Sequence, residues 1–433
     1  MLKYLLAGAA ALSISAVGNA EIYAIQAGHL IVDAAQPERG NSTVIVDKGR
    51  IARIESGFTA PQGAIVVDER SRTVMPGMTD VHVHLTGTSG EPWYNHYTKK
   101  FSVPYDATVG LTHALEMAQG GFTTVRDLGG NTSAVIAVRD AVGEGRFPGP
   151  RIKVAGQPLS IIGGHADPAT GLPPELAEAI DEAHLDPSVC TGPEECQKVV
   201  RQLAAAGVDW IKIMATGGVL DPGSRGLEQH FTDEEMKAIC DMAHFSGLKV
   251  AAHAHGARGI DAAVRAGVDS IEHGTFLDDQ GVKDMKARGT YYVATLLAFN
   301  GAASLIGTGK LPAASELKAK QAFTVWGKGL NLAYRNGVHI ALGTDSAVAP
   351  HTDANKELAL MVSKGGMTPR DALIAATKGG PDLMNLSAET GTLDPGKSAD
   401  LIAVEGDPLV DPTAVQRVDY VMVEGRPIPM KGQ

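Results

Sequence analysis

The sequence predicts an α/β protein: a (β/α)8 TIM barrel joined to a small β-sandwich domain built from the two ends of the chain. Three observations predict it. Residues 76–390 alternate short apolar runs with amphipathic stretches, eight times over about 310 residues, which is the count and length of such a barrel. Residues 21–75 and 391–433 carry alternating runs broken by turn signals instead. Helix-like segments end on glycine just before the next apolar run, at Gly207, Gly247, Gly267, Gly289 and Gly337. A doubly wound open sheet is the competing fold, but no GxGxxG follows an early strand.

In chain order, residues 1–20 (MLKYLLAGAAALSISAVGNA) stand apart from the rest of the chain. Lys3 gives a basic start, an apolar stretch runs from Leu5 to Val17, and small residues flank Asn19. This is the pattern of a secretory signal peptide cut after Ala20, placing the mature protein outside the cell or in the periplasm. The apolar run is too short to span a bilayer comfortably, so no stable membrane insertion is expected after cleavage. Residues 21–75 contain HLIVDA, STVIVDKGRIARIESG and GAIVVDE, and residues 391–433 contain GTLDPGKSADLIAVEGD and RVDYVMVEGRPI. VIVDKGRI and VMVEGRPI share a strand–turn–strand pattern, with a charged residue and glycine at the bend.

The barrel strands read TDVHVHL, TTVRDLGG, RIKVAG, DWIKIMATGG, KVAAHAHG, SIEHG, YYVATLL and HIALGTDS. ECQKVVRQLAAAG, TDEEMKAICDMAHFSG and ARGIDAAVRAG lie between them as helices. Thr232 with Glu235 forms a capping box, and Thr368 before Pro369 starts another helix. With 433 residues, 44% apolar, the chain can bury a large core. Its net charge is −11 and it has no long basic run, which excludes nucleic acid as a partner. Cys190 and Cys196 bracket TGPEE and could close a small ring in an exported protein, while Cys240 reads as a helix-core residue. No CxxC pattern points to a cysteine metal site.

Chemistry in such a barrel sits at the C-terminal ends of the strands. The first strand ends in His82-Val83-His84, where period-two alternation puts both imidazoles on one face. The fourth carries Lys212, the fifth ends in His253-Ala254-His255, the sixth in Glu272-His273-Gly274, and the eighth in Gly343-Thr344-Asp345-Ser346. Each motif alone is open to a structural reading: a hydrogen-bonded core histidine, a turn, a helix cap. Their common place at one end of the barrel is what points to a metal centre. Imidazole and carboxylate without thiolate suit zinc, with manganese, cobalt and iron as alternatives. Four histidines and an aspartate exceed the three protein ligands usual for one catalytic zinc, so two divalent ions are expected.

Lys212 admits three readings. Its ammonium would repel two cations, its neutral amine could form a Schiff base, or the amine could add carbon dioxide to give an anionic carbamate with two oxygens. The carbamate fits best, because histidines flank Lys212 on both sides in strand order.

Together these residues resemble the amidohydrolase superfamily over nearly the whole mature chain. VMPGMTDVHVHL is similar to its first-strand signature, IKIMATGG, AAHAHG, SIEHG and ALGTDS to later strands of the subgroup with a carboxylated lysine, and GTLDPGKSADLIAVEGDPL to the return into the small domain. Within it, the chain most resembles Xaa-Pro dipeptidases and carboxypeptidase-like enzymes, a branch that includes ochratoxin-hydrolysing amidases. The resemblance implies that His82, His84 and Asp345 bind one ion, that His253 and His273 bind a second, and that N-carboxylated Lys212 bridges them. His253 rather than His255 is the ligand by that pattern, since spacing puts both on one face, and His255 then faces the substrate. It implies hydrolysis of dipeptides or N-acyl amino acids by a metal-bridging hydroxide, with Asp345 as catalytic proton shuttle, and a homo-oligomeric assembly. His165, placed after the third strand, is the expected substrate contact, joined by Arg225 and His230 from GGVLDPGSRGLEQHFT.

His96, His113, His184, His244 and His339 show no such placement and read as structural or surface residues. The alternatives within the family are aryl-amide conjugates such as ochratoxin-type N-acyl phenylalanine, or a cyclic amide as in imidazolonepropionase-like enzymes. A Schiff-base aldolase and a non-catalytic binding protein are the competing classes; the first needs Lys212 as a carbonyl trap and the second needs no metal.

Overall fold

The computed structural model describes residues 21–90, 102–182, 188–221 and 226–431. The expected signal peptide, Arg225, His96 and His184 lie outside these residues. Strands β1 (Tyr23–Leu30), β2 (Ser42–Asp47), β3 (Arg50–Ser56) and β4 (Ile65–Pro76) come first. They are followed by a three-stranded parallel sheet of β5 (Met78–Val83), β6 (Phe122–Asp127) and β7 (Arg151–Val154). A four-stranded parallel sheet then takes β8 (Trp210–Met214), β9 (Lys249–Ala254), β10 (Ser270–His273) and β11 (Tyr291–Val293). The chain returns through β12 (Leu401–Val404), β13 (Val418–Val423) and β14 (Arg426–Pro427) to pair with β4.

The terminal strands form one mixed seven-stranded sheet, β14-β13-β12-β4-β1-β2-β3, where two facing sheets were expected. The cause is β4, twelve residues long, which pairs with β1 and continues into pairing with β12, so the ladder never breaks. Alternation then sorts its side chains. Ile25, Val44, Ile51, Leu401, Ala403 and Met422, from both halves of the sheet, share one small core. Met75, Ile402, Val404, Val421 and Val423 join the large core with the parallel strands. The two hairpins expected from VIVDKGRI and VMVEGRPI are present as β2–β3 and β13–β14. Their turns carry positive φ at both central residues, Lys48 (52°) with Gly49 (76°) and Glu424 (50°) with Gly425 (74°), the geometry that matches strand twist in a two-residue hairpin.

Parallel neighbours need crossovers, and helices such as Val103–Gln119, Thr132–Gly143, Pro193–Ala206, Asp233–Phe245 and Ala257–Ala266 supply them. Thr232 and Glu235 form the expected capping box, and Thr368 caps the helix opening at Pro369. The arrangement is of the TIM-barrel type, with its two parallel sheets connected by single bridges rather than continuous ladders: Leu159↔Ile213 on one side, Tyr292↔Ile340 and Val83↔Ser346 on the other. HIALGTDS, expected as the eighth strand, therefore lies between β11 and β5 without forming a strand. Two causes are local. Asp345 has φ 57°, which breaks the extended conformation. The N–H and hydroxyl of Thr344 donate to Asp80 at 3.1 and 2.6 Å.

YYVATLL also divides. β11 stops at Val293, Thr295 turns left-handed (φ 46°), and Leu296 and Leu297 begin a helix. Their N–H groups donate to the oxygens of the buried Glu357 carboxyl at 2.8 and 2.6 Å, satisfying donors that a helix start leaves unpaired. Cys190 and Cys196 form a disulfide, and Cys240 is free and buried. No helix among the described residues is long and apolar enough to cross a membrane.

Candidate metal centre

The histidines of β5, β9 and β10 converge with Asp345 in two adjoining groups. His82, His84 and Asp345 each offer a ligand atom within 4.8 Å of the others, and so do His253, His255 and His273. The two groups meet at His82 and His273, whose ring centroids lie 5.1 Å apart. The pairs 82/84 and 253/255 straddle strand ends: β5 stops at Val83 and β9 at Ala254. Left-handed turns at His273 (φ 68°) and Asp345 (φ 57°) shape the same end of the barrel. Such conformations cost about 1–2 kcal/mol per residue, and both fall on site residues.

Hydrogen bonds set the tautomers. A backbone carbonyl or a carboxylate accepts only, so a neutral imidazole nitrogen facing one carries the proton and leaves the other lone pair free. Nδ1 of His82 lies 2.9 Å from Glu272, and Nδ1 of His84 lies 2.9 Å from the Gly129 carbonyl. Nε2 of both faces Asp345 Oδ1, at 3.4 and 3.1 Å. Nδ1 of His255 and of His273 pair with the hydroxyls of Thr275 and Thr295 at 2.6 and 2.7 Å. His253 differs, with Nε2 3.4 Å from the Gly217 carbonyl.

Burial pushes His82 down to about 4, with Lys212 adding to the shift, so the imidazole is neutral near pH 7. Burial, seconded by neighbouring imidazoles, holds His253 and His273 well below the usual histidine range. Burial would raise Asp345, but His82 and His84 override it and keep the carboxylate ionised. Burial would lower His84 too, but the Asp345 carboxylate overrides it and raises that ring, so His84 would release its Nε2 proton on binding an ion. Neutral His82, His253 and His273 and an ionised Asp345 are already in the protonation states that metal binding requires, so this donor set fits divalent ions.

Lys212, 1% exposed, reaches His82 Nε2 at 3.4 Å. Burial lowers its ammonium to about 8, against the pull of Glu272 and Asp345, so a neutral amine is accessible close to physiological pH. That is the nucleophilic form carbamate formation needs.

His165 lies over the second group, its ring 4.3 Å from that of His253. Its Nδ1 is held 2.6 Å from Asp221, whose carboxyl sits at about 2 because His165 outweighs burial. Gly218 lets this ring in, since a Cβ there would sit 2.6 Å from it. His230 joins the same wall, its Nδ1 accepting from the His165 backbone at 3.4 Å. Arg225 is not among the described residues.

Sequence reasoning missed the supports. Glu272 and Arg126 hold His82 from behind, Asp80 holds Thr344, and Asp127 accepts from the Leu85 and Gly129 N–H groups. SIEHG and VRDLGG contained the signal, since an acid inside an otherwise buried strand needs a partner. Of the histidines set aside, His244 pairs with Asp269 at 3.0 Å, His339 stacks on Tyr291, and His113 stacks on His351.

The amidohydrolase family model matches residues 73–428. The chain is 34% identical to an ochratoxinase of Aspergillus niger over 423 residues, covering 92% of this chain and 84% of that one. It is 26% identical to an imidazolonepropionase of Cutibacterium acnes, over 84% of each. Among solved structures, a Xaa-Pro dipeptidase with methionine bound in its active site superposes with a TM-score of 0.86 at 35% identity, over 94% of this chain and 99% of that one.

Proposed function

The chain belongs to the amidohydrolase family of metal-dependent hydrolases acting on amide bonds, and from that premise we propose that it is an exported two-metal enzyme cleaving dipeptides or N-acyl amino acids. One observation carries the reading. A buried lysine with a lowered pKa stands 3.4 Å from His82, where the two ligand groups adjoin. His82, His84 and Asp345 would hold one ion, His253 and His273 the other, and N-carboxylated Lys212 both, with zinc favoured by the ligands. When bound, such ions lower the pKa of a shared water and polarise an amide carbonyl.

The chain's own part is proton handling and positioning. Asp345, ionised between His82 and His84, accepts the proton of the attacking water as the carbon–oxygen bond forms. It returns that proton to the amide nitrogen as the carbon–nitrogen bond breaks, which an amine leaving group requires. His165, fixed by Asp221, and His255, fixed by Thr275, line the substrate side with His230 and meet the carboxylate end of the substrate. In the same reading residues 76–390 are one (β/α)8-type unit, with HIALGTDS in the eighth position between β11 and β5. Residues 21–75 and 391–433 form the small domain, residues 1–20 direct export, and the mature chain assembles as a homo-oligomer.

The likeness to ochratoxinase favours a second substrate class, aryl-amide conjugates of phenylalanine. Metal analysis of the mature protein, coupled to a library of dipeptides, N-acyl amino acids, N-aroyl phenylalanines and cyclic amides, tests both. Two zinc equivalents with cleavage of linear amides supports the proposal. One equivalent, full metal retention in Lys212→Ala, or cleavage of cyclic amides alone overturns it.

A further inference from the structure

The helix Ala313–Phe323 turns Ser315, Lys318, Ala319 and Ala322 inward and leaves Leu317 and Lys320 exposed. Alanine suits such an inward face. Serine and lysine do not by themselves, because a buried hydroxyl or amine is unfavourable unless it is hydrogen-bonded. Ser315 has no exposure and Lys318 has 5%. Both reach one atom. Ser315 Oγ lies 2.7 Å and Lys318 Nζ 2.9 Å from the backbone carbonyl of Asp221, in the loop that follows β8. Ser315 Oγ also lies 3.1 Å from the Leu220 carbonyl.

Asp221 is held through its side chain as well. One carboxylate oxygen accepts from the Gly218 N–H at 2.7 Å, and the other lies 2.6 Å from Nδ1 of His165. Burial would raise this carboxyl, but His165, the Gly218 N–H and Lys318 together bring it down to about 2, so it is charged. Its carbonyl has two lone pairs, and the serine and the lysine meet both. With the backbone pinned, a side chain has only a few staggered directions to take. The helix therefore sets where the Asp221 carboxylate points, and the carboxylate sets the His165 ring, 4.3 Å from that of His253.

We infer that Ser315 and Lys318 are positioning residues for substrate binding: they hold the Asp221 backbone so that its carboxylate seats His165 against the substrate. The inference rests on the reading of His165 as a substrate-facing imidazole. Neither residue belongs to the two ligand groups, so their removal bears on the substrate and not on metal content. Loss of either donor leaves the Asp221 carbonyl with one partner and lets the loop shift. A contact made equally in ground state and transition state acts on KM and leaves kcat alone.

The test compares the metal-loaded wild type with Ser315→Ala, Lys318→Met and Lys320→Met. The first two nearly keep the shape of the side chain, so the helix should still pack. The third removes a cation from the exposed face of the same helix and serves as control. On a cleaved N-acyl amino acid, Ser315→Ala and Lys318→Met should each raise KM roughly 10- to 100-fold, with kcat and metal content unchanged. Lys320→Met should match the wild type. Crystal structures of the first two variants should show His165 displaced from its seat beside His253 or parted from Asp221. An unmoved His165 in both variants, or the same KM in Lys318→Met as in Lys320→Met, overturns the inference. If the wild type cleaves no amide, the parent reading fails by itself, and the position of His165 in the variant crystals still decides this one.

Discussion

Nδ1 of His82 and the Glu272 carboxylate lie 2.9 Å apart, and both side chains are essentially without solvent exposure. The other oxygen of Glu272 accepts from Arg126 at 2.9 Å and from Ser270 at 2.5 Å. Arg126 overrides the effect of burial and holds the Glu272 carboxyl down to about 2, so the carboxylate is charged and orients His82 as an Nδ1–H donor. Removing Arg126 strands that charge in the core. Arg126→Met should destabilise the fold by about 3–5 kcal/mol, read from urea denaturation. Glu272→Gln keeps the shape but weakens the hold on the ring, and should lower metal affinity roughly 10–100-fold, read by competition with a chelator. Unchanged stability in the first variant and unchanged affinity in the second would remove the supporting role.

Asp345 gives the sharpest test of the proton shuttle. Asp345→Asn keeps an oxygen for an ion but cannot accept a proton. We expect kcat on a good dipeptide to fall by roughly 100- to 10,000-fold, while metal analysis still finds most of the metal bound. Parallel loss of metal and activity would make Asp345 a ligand only. Full activity would refute the shuttle outright.

The candidate centre was legible in sequence because the residues that converge there obey strand arithmetic. His82 and His84 are two apart at a strand end, and Lys212 interrupts an apolar run whose five strand residues, Trp210 to Met214, are all buried. What holds those residues was less legible, because it depends on which strand neighbours which. Glu272 serves His82 from 190 positions away, and no local spacing announces that. The small domain was misjudged as a sandwich for a related reason. Alternation tells which face of a strand is buried, but not that β4 runs on from one set of partners into another. The eighth strand failed for the opposite reason. ALGTDS has the composition of a strand, yet Asp80 takes Thr344 and Asp345 adopts positive φ.

Glu69, in the small domain, should give the protein a measurable pH response. Burial and the Asp419 carboxylate raise it from 4.5 to about 7, against the pull of Arg72, which is itself paired with Asp419. A carboxyl raised on folding binds its proton more tightly in the folded state. Its contribution is complete below the unfolded value of 4.5 and is lost as pH rises through about 7. The wild-type Tm should therefore fall between about pH 5 and about pH 8, and Glu69→Gln should fall less over the same interval. Differential scanning calorimetry at the two pH values decides it, and parallel shifts in the two proteins would contradict the assignment.

The two ends of the chain are fastened through glycine tips. The Gly49 carbonyl accepts from the Ala399 N–H at 2.9 Å, and the Gly425 N–H donates to the Ala399 carbonyl at 3.1 Å. A Cβ on Gly425 would sit 2.2 Å from the Gly49 Cα, backbone against backbone, with no flexible side chain to give way. Gly57 provides a control, because it has φ 78° against 74° for Gly425 but no atom within 4 Å of the place a Cβ would take. Both Gly→Ala changes carry the left-handed penalty of about 1–2 kcal/mol. Only Gly425→Ala adds the clash, so it should lose about 1–3 kcal/mol more than Gly57→Ala. Urea denaturation of the two variants measures that difference. Equal losses would mean that the hairpin tips do not bear on one another.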